Sequence, residues 1–178
     1  MPDNLNWDDP QIGGDESFTE DDMKDAESMG KVPVGKYLCV CVESVPREIN
    51  FRQYATIAAG LKWQIERVIE LDNEPVKGDA GDVYIGRFLY DDVAFYHPQE
   101  KDGFRKRRLL IARRVGLVKE GETEITKQMW AHDIVGKRAV LSQVTNTYKG
   151  EKRLQIGFSG YESPESVETV TDDEFSDI

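Results

Sequence analysis

Ala55–Leu71, ATIAAGLKWQIERVIEL, decides the fold of this chain. A helix is one reading of its second part, because Gln64, Glu66 and Arg67 tolerate it. A strand is the other, with Trp63, Ile65 and Ile69 on one face. The residues downstream favour the strand. Asp72–Asp82 (DNEPVKGDAGD) is a cluster of turn residues, and Val83–Tyr90 (VYIGRFLY) then reads as a further strand, so the two make a large hairpin. Gly60, near the start of the long strand, is where a bulge is expected to let it curl.

Upstream, Val34–Val45 (VGKYLCVCVESV) is β-branched and aromatic, with apolar side chains on both faces, which fits a strand in a closed or heavily covered sheet. Arg47–Tyr54 and Asp91–Gly103 read as loops. Phe104–Leu117 (FRKRRLLIARRVGL) is the helix candidate, with Lys106, Arg107, Arg113 and Arg114 in one arc and Phe104, Leu109, Ile111, Ala112 and Val115 opposite. A short helix is expected from a cap at Thr126, anchored by Trp130. Lys137–Thr147 and Glu151–Phe158 are strands joined through Tyr148-Lys149-Gly150. Three strands, a helix and two more strands predict a mainly-β domain, a five-stranded OB-like barrel with a helix between strands 3 and 4, with an SH3-like barrel or a generic α+β sheet as the alternatives.

Charge is sorted along the chain. Residues 1–30 carry ten Asp/Glu against Lys24 alone, and residues 161–178 carry seven Asp/Glu with no Lys or Arg. Residues 31–160 hold 22 Lys/Arg against 17 Asp/Glu, so a basic body lies inside a chain of net charge −11. The organisation predicted is an acidic, disordered arm (residues 1–30), one domain (residues 31–161) and an acidic tail (residues 162–178), the ends lacking the apolar faces that would offset the entropy of ordering. An acidic N-terminus without an apolar core argues against a signal peptide, and the apolar runs are too short to span a bilayer, so the expectation is a cytoplasmic protein with no membrane partner. Cys39 and Cys41 read as buried, reduced core thiols, since His97 and His132 lie far from them in sequence and match no zinc spacing.

Catalysis finds little support. Gly-rich phosphate loops, a nucleophile elbow and His-rich metal clusters are missing from the sequence, and Asp8-Asp9 and Asp91-Asp92 read as solvated turns. The expectation is no enzyme, no cofactor and no metal. Single-stranded nucleic acid, by contrast, needs a positive groove and aromatic faces on which bases stack. Arg47, Arg52, Lys62, Arg87, Lys149, Lys152 and Arg153 are the phosphate candidates; Tyr54, Trp63, Phe88 and Tyr148 are the stacking candidates. Trp63, Phe88, Trp130 and Phe158, at strand spacing, equally suit a core, and the basic arc of the helix equally suits a solvated face. Thr171–Ile178 (TDDEFSDI) sets carboxylates around Phe175 and Ile178, a composition suited to docking a protein partner, to folding back over the body until DNA displaces it, or to solubility alone.

This arrangement resembles single-stranded DNA-binding proteins of the bacterial and phage kind, and the body resembles a family of small phage and prophage proteins of that type. The resemblance rests on Pro33-Val34-Gly35-Lys36-Tyr37, Trp63-Gln64-Ile65, Gly86-Arg87, the helix Leu109–Leu117, Ile134-Val135-Gly136-Lys137 and Tyr148-Lys149-Gly150-Glu151. The departures are a tail ending Phe175-Ser176-Asp177-Ile178, without a proline-aromatic tip, and the acidic N-terminal arm. The resemblance implies sequence-independent binding of single-stranded DNA in phage or prophage replication or recombination, with RNA the other polynucleotide such chemistry accepts and a replication or recombination protein docked by the tail. Two other readings stand beside it: an interaction module working through its acidic termini, and a metal-dependent nuclease using carboxylates such as Glu66, Asp82 and Asp91.

Overall fold

Seventeen residues of β1 (Gly35–Phe51) run antiparallel to eighteen of β2 (Tyr54–Leu71), and this one hairpin organises everything else. The computed structural model describes residues 6, 8–11, 13–28, 31–51, 53–99 and 101–167, with the side chains at 24, 25, 27, 28, 101 and 148 excepted. The chain divides into two units, Met1–Lys31 and Val32–Ile178. In the first, α1 (Glu20–Ser28) starts on a reciprocal cap: Thr19 Oγ1 accepts from the Asp22 N–H at 3.1 Å, and Asp22 Oδ2 accepts from the Thr19 N–H at 2.9 Å. Glu20, Asp21 and Asp22 in its first turn suit the helix dipole. The apolar residues there are too scattered in sequence to make an apolar face, and in the structure Phe18 and Met23 are exposed.

The second unit is mainly β. Further elements are β3 (Glu74–Pro75), β4 (Phe88–Ala94), α2 (Lys101–Arg114), β5 (Arg138–Tyr148) and β6 (Glu151–Glu162), with a π-helical turn at Met129–Asp133. They form one six-stranded antiparallel sheet in the order β3–β2–β1–β5–β6, with β4 paired to β2 at Ala58–Gln64 and β3 paired to it at Glu70–Leu71. The sheet does not close into a barrel: β4 and β6 share no ladder.

Several boundaries differ from the sequence reading. Arg47–Tyr54 is not a loop, since β1 and β2 stay paired out to Phe51 and Tyr54. The third strand lies at Phe88–Ala94 rather than Val83–Tyr90, because Asp82–Tyr84 takes a 3-10 turn. Gly60 pairs with Val45 in unbroken register, and the irregularities fall instead at Lys36/Tyr37, Leu38/Cys39 and Cys41/Glu43. The hairpin at Tyr148–Glu151 turns where the sequence places it, with Lys149 and Gly150 both at positive φ. Gly116, at φ +83, ends α2 in the left-handed conformation, and the Leu117 N–H donates back to Ala112 O.

The inner face of the sheet and the apolar side of α2 enclose the core, where Tyr37, Trp63, Ile65, Ile111, Leu141 and Tyr161 are fully buried. Cys39 and Cys41 lie in it as free thiols; burial pushes Cys39 up, and Cys41 up to about 11. The outer face carries a small second cluster. Val167, five residues beyond β6, closes over Leu38 and Val140 with Ile69 beside them, so the segment expected to start the acidic tail begins packed on the sheet.

Where β4 and β6 fail to pair, α2 supplies the missing donors. Arg107 is buried in the gap: its Nε donates to Phe158 O at 2.8 Å, Nη1 to Asp92 O at 3.3 Å and Nη2 to Asp91 Oδ2 at 2.7 Å. The Tyr161 hydroxyl donates to the same Asp91 oxygen at 2.6 Å. Burial first, then the Asp91 charge, raises the Tyr161 phenol well above its ordinary value. Arg108 Nη1 donates to Ala94 O and Phe95 O, and Arg114 Nη1 to Tyr161 O at 2.7 Å.

Candidate nucleic-acid interface

Two hairpins stand out from the core, β1–β2 beyond Glu43 and β5–β6 beyond Val144, as their runs of exposed side chains show. On the first, strand alternation puts Val45, Arg47, Ile49 and Phe51 on one side. The register extends that side across β2 and β4: Glu43 opposes Lys62, which opposes Tyr90, and Val45 opposes Gly60, which opposes Asp92. A Cβ on Gly60 would sit 3.3 Å from Val45 O and 3.5 Å from Asp92 Oδ1. Its absence leaves room for Arg47 to cross β2 and reach Asp92 Oδ2 at 3.3 Å.

This face ends in a groove of about 360 Å³ between the β1–β2 tip, the free edge of β4 and β6, with α2 closing one end. Its rings are Phe51, Tyr90, Phe104 and Phe158, and Tyr90 (64% exposed) and Phe158 (57%) present theirs to solvent. Arg107 lies 5.4 Å from the Phe158 ring centre, which orients that ring over the seam. The floor carries Asp91 and Asp92. Burial raises the Asp92 carboxyl above its usual range, against the pull of Arg47 and with the push of Asp91.

The hairpin tip is fixed by a ring cluster around His97, which is fully buried. Phe51, Tyr54 and Phe104 meet its ring edge-on at 5.2, 5.3 and 5.7 Å. The Gln99 N–H donates to Nδ1 at 3.1 Å, which leaves Nε2–H to donate to Phe51 O at 2.7 Å. His97 thus holds the groove wall in place.

The expected site residues separate into groups. Arg47 lines the approach to the groove. Lys62 sits 4.2 Å over the Phe88 ring on the same face as Tyr90, and Arg87 lies 5.6 Å from the Tyr84 ring. Lys149, Lys152 and Arg153 are exposed at the β5–β6 tip, leading along β6 to the groove residues Gln155, Ile156 and Phe158. Tyr54 is exposed at the other tip. Trp63 is a correction: it faces the core opposite Leu89, is 0% exposed and cannot meet a base. Its Nε1–H is the buried side-chain polar atom left without a hydrogen-bond partner among the described residues, with the Tyr161 ring edge-on at 5.8 Å. Arg52, Phe175 and Ile178 lie outside the described residues, as does the side chain of Tyr148.

Tyr90, Phe104 and Phe158 complete the groove and were not among the expected site residues. Tyr90 was legible in principle, since it alternates with Phe88 about the apolar Leu89. Phe158 was not: at strand spacing from Ile156 it reads as core, and it is exposed where β6 leaves its register with β5 between Ile156 and Tyr161. Among the described residues no group of three or more His, Cys, Asp or Glu is gathered to hold a metal ion, and no helix is long and apolar enough to cross a membrane. Glu66, one of the carboxylates considered for a nuclease, is paired to Arg138 at 2.6 Å, and Asp91 is held by Arg107. No protein-family model matches the chain, and no curated protein matches it either.

Proposed function

We propose that this protein binds single-stranded DNA without reading its sequence, as a non-enzymatic, cytoplasmic protein of phage or prophage type acting in replication or recombination. The observation that carries the reading is the groove, where outward-facing rings of Tyr90 and Phe158 lie between two cation-bearing hairpins. Bases stack on such rings while Arg47, Lys62, Lys149, Lys152 and Arg153 meet phosphates along the rims. Strand order supports it. With the two-residue β3 set aside, the order β4–β2–β1–β5–β6 with a helix after β4 is compatible with an OB-like sheet opened at one seam, and the groove lies between the β1–β2 and β5–β6 hairpins.

Fluorescence anisotropy of a labelled oligo-dT tests this. Affinity falls with salt at a log–log slope of about −0.7 per phosphate neutralised. Tyr90→Ala and Phe158→Ala each weaken binding by about 1–3 kcal/mol, the range for one lost stacking platform. No binding at low salt, or binding indifferent to both rings, overturns the reading. Tryptophan quenching is a poor probe here, because Trp63 and Trp130 are both buried.

A further inference from the structure

The ribbon of β1 and β2 has a second face, and its groove has the opposite chemistry. About 540 Å³ in volume, it is walled by Pro46, Ile57, Ala59, Phe95 and Trp130. Ile57 remains 50% exposed on this face. Lys127 and His132 stand at the rim. Past Phe95 and Trp130 it runs on into a shallower groove bearing Arg105 and Arg108. Arg105 and Lys127 have no carboxylate partner among the described residues.

An apolar trough bordered by cations without a carboxylate partner fits a peptide in which apolar side chains alternate with carboxylates. It offers no outward ring for a base. Residues 171–178 of this chain, TDDEFSDI, have that composition: Phe175 and Ile178 among Asp172, Asp173, Glu174 and Asp177. We infer that this groove receives the segment 171–178 of a second copy of the chain. The apolar side chains fill the trough, and the carboxylates meet Lys127 and Arg105 at its rim.

Reach argues for a second copy. Val167 is fixed against Leu38 and Val140 on the outer face of the sheet, whereas Ser44, beside the groove, bonds Trp130 O on the core side at 2.6 Å. Eight residues from Val167 to Phe175 span at most about 26–29 Å fully extended. The six to eight residues of β1 from Leu38 to the groove already take up about 20–26 Å. A path from one face of the sheet to the other must be added, so the chain's own tail would have to be drawn taut, while a neighbour's tail enters freely.

Sedimentation velocity of the full-length protein across a hundredfold concentration range, with a fluorescein-labelled peptide of residues 168–178 titrated in parallel, tests the inference. Expected is concentration-dependent association that weakens with salt, together with binding of the peptide. Lys127→Glu, Ile57→Asp and, in the chain, Phe175→Ser should each abolish the association. Lys127→Glu and Ile57→Asp should each lower peptide affinity at least tenfold. Oligo-dT affinity of Lys127→Glu should stay within about twofold, so that the groove reading and the nucleic-acid reading fail separately. Lys127 and Ile57 are exposed, and a thermal melt verifies folding; should Ile57→Asp not fold, the other two variants carry the test. A chain that stays monomeric throughout overturns the inference. So does association that survives all three variants, or Lys127→Glu weakening oligo-dT while leaving the peptide bound.

Discussion

In α2, the guanidinium groups of Arg107, Arg108 and Arg114 turn onto main-chain carbonyls of the neighbouring strands, whereas Arg47, Lys149, Lys152 and Arg153 on the two hairpins stand at the surface. By sequence the helix is the more basic region, and it would be the first choice for a polyanion. The sheet gives three of its guanidinium groups another task. Leaving β4 and β6 unpaired strands the carbonyls of Asp92, Ala94, Phe158 and Tyr161 near the core, and a buried carbonyl without a donor is unfavourable. A guanidinium carries five N–H donors and no acceptor, so one arginine can satisfy two strands together. Positive charge on the helix closes the fold, whereas positive charge on the hairpins stands at the surface.

Removing Arg107 breaks this comparison most severely. Arg107→Ala leaves Asp91 as an uncompensated buried charge and is expected to lower stability by about 3–5 kcal/mol in urea unfolding. Arg113→Ala, at an exposed position on the same helix, should stay within about 0.5 kcal/mol. Tyr161→Phe deletes one donor to Asp91 and should fall between them, at about 1–2 kcal/mol. Equal, small effects for Arg107 and Arg113 would mean that the seam does not depend on its polar plug.

This division was only partly legible in the sequence. β-branched and aromatic periodicity located β1, β2, β5 and β6, and Thr126 with Trp130 located the turn at Met129–Asp133, where Trp130 is buried as an anchor. Within Arg105–Arg108, however, four cations of similar chemistry stand in a row, and nothing local distinguishes the inward Arg107 from the exposed Arg105 and Lys106. The difference comes from which edge of the sheet each meets, a long-range property. Trp63 failed as a stacking residue for the same reason: one step of register puts it opposite Leu89 on the core side, while Lys62 and Gln64 face out. β4 was displaced because Val83, Tyr84 and Ile85 read as strand by propensity, yet the turn after Gly81 overrode it.

Asp92 lies between the two regions, paired to Arg47 of the hairpin and offering its carbonyl to Arg107. Its carboxyl is raised by burial, so the folded protein holds the proton more tightly than the unfolded chain does. Its contribution is therefore most favourable below the ordinary carboxylate range and declines as pH rises through the raised value. Asp92→Asn removes that decline. At pH 7 the variant should melt no lower than the wild type despite losing the Arg47 pair, and its advantage should vanish as pH falls below about 4. It should also bind oligo-dT more tightly, because Arg47 is released and the groove floor is less anionic. A lower melting temperature at pH 7 would show that the Arg47 pair outweighs the burial.

The hairpin cations should give the smallest change in stability and the clearest change in binding. Lys149→Ala, Lys152→Ala and Arg153→Ala remove exposed charges, so unfolding should move by no more than about 0.5 kcal/mol for each. If each contacts one phosphate, each should flatten the salt dependence of oligo-dT binding by about 0.7 in log–log slope. Arg153 is the one to compare with Lys152. Its Nη2 lies 3.6 Å from Glu151 Oε2 at an exposed site, and such a pair contributes only about 0–1 kcal/mol. A phosphate can therefore displace Glu151, and Arg153→Ala should match Lys152→Ala in slope. If Arg153→Ala leaves the slope unchanged while Lys152→Ala lowers it, the carboxylate keeps its hold on the guanidinium, and the phosphate track passes on the Lys152 side of β6.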